Sequence, residues 1–168
     1  VWNVYGITET GSWVAGTNRE AVSPKSGLVG KGWGGRILVS SCGSTAELDS
    51  SAQPAALEVP RGERGHIWLR TPCVMRGYLN DEELTREVMS GSWFYTGDTG
   101  YMDDTDDLVL VGRTGSEINK GGTKVYPEDV DLALERHPDI REACAFGVED
   151  PVLGENVAAA VVFNAETN

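Results

Sequence analysis

Three short runs constrain this chain most: 36–40, 66–70 and 108–111, built around Ile37-Leu38-Val39, Ile67-Trp68-Leu69 and Leu108-Val109-Leu110. Each is β-branched, aliphatic or aromatic, and each is bounded by glycine or acidic residues. Runs this short and so punctuated form strands rather than helices. The first two thirds of the chain therefore read as mainly β. The segment 27–35 holds five glycines in nine residues and reads as a turn or close-packed connection. The Ser-, Ala- and Pro-rich segment 43–60 reads as a long surface excursion between strands. One helix is expected over 81–89, with Asn80 as its cap and Glu83 three residues on.

Beyond Arg113 the pattern changes. Gly121-Gly122 interrupts a strand pair, and Pro127 opens a helix over 128–136, with Val130, Leu132 and Leu134 providing apolar contacts, before Pro138 stops it. Strands over 140–148 and 157–163 follow, with a turn at Asp150-Pro151. That is an α+β unit, and it reads as truncated. The expected division is 1–112 and 113–168. A first residue other than Met agrees with a piece of a longer chain.

The net charge is −12, with 26 acidic residues against 14 basic ones. Nine carboxylates fall within 81–107, where the one cation is Arg86. Such a surface repels a phosphate backbone and an anionic membrane. Three cysteines without paired spacing fit a reducing compartment, and Cys73 and Cys144, beside apolar residues, are expected to fill core space. No apolar run approaches the ~18 residues of a membrane helix, and no signal pattern is visible. The expectation is a soluble, cytoplasmic chain.

Four segments carry chemistry. The first is Tyr5-Gly6-Ile7-Thr8-Glu9, where a hydroxyl and a carboxylate are adjacent. Magnesium prefers oxygen ligands and commonly bridges substrate phosphates, so a lone carboxylate suffices as its protein anchor. The second is Gly65-His66-Ile67-Trp68-Leu69-Arg70 with Val74-Met75-Arg76-Gly77-Tyr78-Leu79-Asn80, a strand and corner. The third is Trp93-Phe94-Tyr95-Thr96-Gly97-Asp98. The fourth is Gly112-Arg113 through Asn119-Lys120-Gly121-Gly122-Thr123-Lys124-Val125-Tyr126-Pro127.

In this order the segments resemble the AMP-forming acyl-CoA synthetase and adenylate-forming ligase superfamily. The resemblance implies a distorted β-barrel subdomain followed by the start of a small α+β domain. It implies that Glu9 binds Mg²⁺, that Thr8 contacts phosphate with Glu9 as the catalytic pair, and that Tyr5 and Gly6 flank adenine. It implies that Asp98 accepts from the ribose hydroxyls, fifteen residues before an arginine, Arg113, that also reaches the ribose. Leu110 packs near the sugar. By the same resemblance, the hairpin residues Lys120, Gly121 and Gly122 are expected to line a CoA tunnel, and Lys124 to meet a phosphate after domain rotation. Glu9, Asp98 and Arg113 are expected to converge around one adenosine phosphate.

The hinge position is Gly115, where the family usually has Asp or Lys, so a side-chain latch is missing. His66, in place of the usual glutamate, is expected to be structural. The family's upstream phosphate loop and its downstream Gly-Lys motif are not in this sequence, so the fragment alone is expected to be inactive and to need the rest of the parent ligase. ATP, Mg²⁺ and CoA are the implied cofactors and a carboxylic acid the substrate. Two alternatives stay open: an adenylation unit that loads the phosphopantetheine of a carrier protein, and an inactive interaction module with the same fold.

Overall fold

The computed structural model describes residues 3–17, 27–48 and 53–164. The chain divides into two compact units, Val1–Leu110 and Val111–Asn168.

The first unit is built on one sheet. Its strands are β1 (Val4–Ile7), β2 (Ser12–Gly16), β3 (Leu28–Gly32), β4 (Arg36–Ser40), β5 (Gly65–Arg70), β6 (Met89–Ser90), β7 (Trp93–Met102) and β8 (Leu108–Arg113), the last of which runs on into the second unit. The order is β1-β2-β3-β8-β7-β5-β4, with β6 paired to β7. β1 and β4 are the two ends of this path. The mainly β expectation is met, but the sheet is open rather than closed into a barrel, because its two end strands do not pair with each other.

Strand periodicity sorts the core into two layers. Ile67 and Leu69 of β5 join Tyr5, Val14, Val39 and Leu108 in one cluster. Trp68, between them, points the other way and packs with Leu38, Cys42 and Trp93. A strand with a neighbour on each side and both faces buried explains why Ile67-Trp68-Leu69 is a continuous apolar run rather than an alternating one. The Trp68 indole N–H donates to the Cys42 carbonyl at 2.9 Å, whereas the equally buried Trp93 indole N–H has no hydrogen-bond partner among the described residues. The Ser40 hydroxyl donates to the Leu57 carbonyl at 3.0 Å. It fastens the excursion after β4, of which 49–52 lie outside the described residues.

Three expectations change. The glycine-rich segment contains β3, a true strand, because close approach to its neighbours requires glycine. A β-carbon at Gly30 would lie 2.3 Å from the Gly16 carbonyl oxygen, and one at Gly27 would lie 2.1 Å from that of Leu110. Helix α1 (Glu82–Val88) is capped by Asp81, whose Oδ1 accepts from the Leu84 N–H at 2.9 Å. Asn80 instead takes a left-handed backbone conformation, φ 57°, and enters the corner before the helix. Cys73 and Cys144 are exposed, and Cys42 is the buried thiol. In the strand Ile140–Asp150 the inward position is Ala145, and alternation turns Cys144 outward.

The second unit carries β9 (Ile118–Lys120), β10 (Thr123–Val125), α2 (Pro127–Glu135), β11 (Ile140–Asp150) and β12 (Gly154–Phe163). Its sheet order is β10-β9-β12-β11. Pro127 starts α2, where a missing N–H costs nothing. α2 lies against β11: Asp131 Oδ1 accepts from the Ala145 N–H at 2.5 Å and Glu135 Oε1 from the Ala143 N–H at 3.2 Å. Two carboxylates of the helix thus satisfy backbone donors on the outer edge of β11. Among the described residues no helix is long and apolar enough to cross a membrane.

Candidate functional site

In the first unit, β1 delivers Tyr5, and the 3₁₀ turn after it, Thr8–Thr10, delivers Thr8 and Glu9. The turn closes on Gly11, whose N–H donates to the Thr8 carbonyl at 2.9 Å. Thr10, buried at its far end, donates its hydroxyl to the Ile7 carbonyl at 3.0 Å. This local bonding fixes the turn and leaves Thr8 exposed and Glu9 half-buried. Gly6 has a steric reason: a β-carbon there would fall 2.4 Å from the Ser12 carbonyl oxygen of β2.

Asp98 sits on β7 just after Gly97, which has φ 75°. Its N–H donates to the Thr96 hydroxyl at 3.0 Å, and that hydroxyl donates to the Ile67 carbonyl at 2.9 Å. The aspartate is therefore anchored to β5 through its own backbone. Its side chain is fixed as well, because the Tyr5 hydroxyl donates to Asp98 Oδ2 at 2.6 Å. The short distance is that of a charge-assisted O–H···O⁻ bond. The Tyr5 ring itself is 7% exposed and belongs to the core. The Tyr5 hydroxyl thus anchors the carboxylate of Asp98. Leu110, half-buried on β8, packs at the margin of the same cluster.

Glu9 is held by a residue that sequence alone marks only as part of a structural corner. The Tyr78 hydroxyl donates to Glu9 Oε1 at 2.9 Å. Among the described residues the Glu9 carboxylate has no other hydrogen-bond partner, which leaves Oε2 for a ligand. Burial first, and then the bond to Glu9 and its negative charge, push the Tyr78 phenol up from its ordinary range, so it stays a neutral donor. No sequence spacing signals this pair, which is separated by 69 positions. An oriented carboxylate with one open oxygen is a donor that would suit a hard cation such as magnesium, which prefers oxygen ligands. His66 lies edge-on to Tyr95, ring centroids 6.0 Å apart, with Nδ1 3.3 Å from the Tyr95 hydroxyl.

In the second unit, Arg113 is exposed at the end of β8. The turn after it is tied by Ser116, whose hydroxyl donates to the Arg113 carbonyl at 2.6 Å. Gly115, at φ 84°, faces open space: a β-carbon there would meet nothing within 4 Å. Its N–H donates to Glu117 Oε2 at 2.8 Å. The β9–β10 hairpin turns through Gly121 and Gly122, φ 59° and 90°, the pair of left-handed positions that a two-residue hairpin of type I′ demands. Asn119 Oδ1 accepts from the Gly122 N–H at 2.9 Å. Lys124 pairs with Asn119 and Lys120 with Thr123, so the two lysines stand on opposite faces of the hairpin.

Comparison with known proteins agrees with this architecture. Residues 129–168 match the family model "AMP-binding enzyme C-terminal domain". The chain is 37% identical over 163 residues to a probable CoA ligase, CCL9, of Humulus lupulus, covering 96% of this chain and 29% of that protein. It is 34% identical over 151 residues to a 2-succinylbenzoate–CoA ligase of Bacillus licheniformis, covering 90% of this chain and 29% of that one. The ATP-bound crystal structure of MatB from Rhodopseudomonas palustris superposes with a TM-score of 0.82 at 28% identity, covering 99% of this chain and 31% of MatB.

The fold and the ordered motifs define an adenylate-forming class of protein. Along nearly its whole length the chain is similar to proteins of the AMP-forming acyl-CoA synthetase superfamily, and residues 129–168 match the C-terminal domain of AMP-binding enzymes. It spans about 29% of the length of the two CoA ligases it matches.

Proposed function

We propose that this chain supplies one wall of the ATP site, together with a hinge and a hairpin, in a ligase that joins a carboxylic acid to CoA. The assignment takes residues 1–112 as the end of the large domain and 113–168 as the start of the mobile one. The observation that carries it is the Tyr5–Asp98 bond, which fixes a carboxylate beside the strand leading into the Thr8-Glu9 turn.

In this reading Asp98 accepts from the ribose hydroxyls, and Arg113 offers a planar donor fork suited to a nucleotide. Tyr5 and Gly6 border the adenine, and Leu110 borders the sugar. Thr8 donates to a phosphate oxygen. Glu9 holds magnesium, which supplies charge neutralisation on the phosphates. The substrate carboxylate is already ionised at neutral pH, so no base is needed for it to attack. One of its oxygens bonds to the α-phosphorus as the bond to pyrophosphate breaks, giving an acyl-adenylate. The thiol of CoA then attacks the acyl carbon and AMP leaves as the thioester forms. Protein groups contribute mainly position and charge. Gly115, free of a side chain, permits the backbone change that a rotation between these steps needs. Gly121 and Gly122 let the hairpin approach the pantetheine arm, with Lys120 beside them and Lys124 on the opposite hairpin face meeting a phosphate.

The test is ATP–pyrophosphate exchange by the intact ligase over a panel of acids, with CoA thioester formation measured in parallel. Exchange with at least one acid is expected, and Asp98→Ala should lower kcat/KM for ATP by about 100-fold or more, roughly 2.7 kcal/mol. Unchanged nucleotide kinetics in that variant would remove the ribose assignment. Absence of exchange with every acid would favour an inactive module. Exchange without CoA thioester would favour a carrier-protein acceptor.

A further inference from the structure

The corner between β5 and α1 grips residue 9 twice. The Met75 N–H donates to the Glu9 carbonyl at 2.7 Å, and the Tyr78 hydroxyl donates to Glu9 Oε1 at 2.9 Å. One bond fixes the backbone of the turn and the other fixes the carboxylate. Tyr78 is itself braced by α1. Its N–H donates to the Thr85 hydroxyl at 2.9 Å, and that hydroxyl donates to the Asp81 carbonyl at 2.7 Å. Gly77 is needed for this contact: at φ 156° it carries no β-carbon, and one placed there would meet Thr85 Oγ1 and Cγ2 at 2.9 Å. The path therefore runs from the helix through Thr85 and Tyr78 to one oxygen of Glu9.

We propose that Tyr78 is a positioning residue for the cation carboxylate: it holds Glu9 by Oε1 so that Oε2 is presented to magnesium. This inference rests on the reading of Glu9 as the magnesium ligand. The choice of a phenol has a physical logic. A lysine or arginine in its place would orient Glu9 but also neutralise it, weakening its pull on a cation. A phenol donates a single hydrogen bond and adds no charge. Outer partners of metal ligands fix ligand orientation in this way, and losing one typically costs about ten- to a hundredfold in metal affinity. A bond that only held the corner together would affect stability and leave cation affinity alone.

The experiment uses the intact ligase with Mn²⁺ as a paramagnetic probe in the presence of ATP, its binding followed by electron paramagnetic resonance, beside the magnesium dependence of pyrophosphate exchange. Tyr78→Phe keeps the ring and removes the donor. Its apparent Mn²⁺ dissociation constant should rise about tenfold, with the acid KM unchanged and kcat restored at high magnesium. Thr85→Val leaves the phenol but loosens its brace, and should shift Mn²⁺ affinity in the same direction by a smaller factor. It is the second measurement should Tyr78→Phe fail to fold. Glu9→Gln separates the two readings. If it weakens Mn²⁺ binding while both other variants bind as the parent does, Glu9 remains the ligand and the positioning role is overturned. If Glu9→Gln itself binds Mn²⁺ normally, the magnesium assignment fails and the positioning role fails with it.

Discussion

The Tyr5 hydroxyl and Asp98 Oδ2 lie 2.6 Å apart although 93 positions separate the two residues. The bond joins β1, one end of the sheet path, to β7 near its middle. Removing only the hydroxyl, in Tyr5→Phe, isolates its contribution. A hydrogen bond to a charged group is worth roughly 1.5 kcal/mol or more, so the ATP KM of the intact ligase should rise about tenfold. The ring remains, and the core with it. A steady-state titration of ATP decides the matter, and an unchanged KM would show that Asp98 needs no such anchor.

Gly30 is a steric test of β3. Its φ of +113° and the 2.3 Å approach of the Gly16 carbonyl oxygen to a β-carbon position make Gly30→Ala costly, by about 2–4 kcal/mol. Gly34 provides the control. Its φ is +65° but nothing lies within 4 Å, so Gly34→Ala should cost only about 1 kcal/mol. Urea denaturation of the two variants should separate them clearly, and equal midpoints would refute the packing argument.

The three cysteines should react at two rates. Cys42 is 1% exposed and its thiol donates to the Ser44 carbonyl at 2.9 Å. Burial pushes this thiol up, with Glu47 adding to the rise against the opposing Ser44 bond. Cys73 and Cys144 are exposed. A disulfide-exchange assay should count two fast thiols in the native protein and a third only on unfolding. The protection should persist at alkaline pH, where ordinary thiols ionise, because the raised value delays thiolate formation.

Acid should weaken the β11–β12 turn. Asp150 Oδ1 accepts from the Val152 and Leu153 N–H groups, both at 2.9 Å. The bond from Leu153, then that from Val152, and then the charge of Lys120 hold the carboxyl below its ordinary range. A lowered value means the turn's stabilisation is complete above the ordinary aspartate range and is lost as pH falls through the lowered midpoint. Carbon NMR titration of the Asp150 carboxyl should show that low midpoint, and Asp150→Asn should abolish the associated pH dependence. A midpoint at or above the ordinary range would contradict the turn bonding.

The strands that are readable from sequence are those whose signal is local. Runs 36–40 and 108–111 and the Pro127 start of α2 declare themselves through side-chain type and punctuation. β3 does not, because its glycines read as turn residues until β2 and β8 are seen to press close enough to exclude a β-carbon at Gly30 and at Gly27 beside it. The cap of α1 lies one residue later than expected, at Asp81 rather than Asn80, since two adjacent capping residues are equivalent in sequence and backbone geometry chooses between them. Of the site, the order of Tyr5, Thr8, Glu9, Asp98 and Arg113 is readable as a resemblance. The bonds that orient two of those carboxylates are not, because Tyr5–Asp98 and Tyr78–Glu9 are long-range pairings with no periodic mark.

The two carboxylates that α2 lends to β11 have a consequence for how the second unit behaves at high concentration. A strand of eleven residues with a bare flank would invite another chain to add to it. Asp131 and Glu135 occupy donors on that flank, and the opposite margin, β10, is three residues long and bears Lys124. One border thus has two of its donors claimed by carboxylates and the other is short and bears a lysine, features that discourage a second chain from adding a strand.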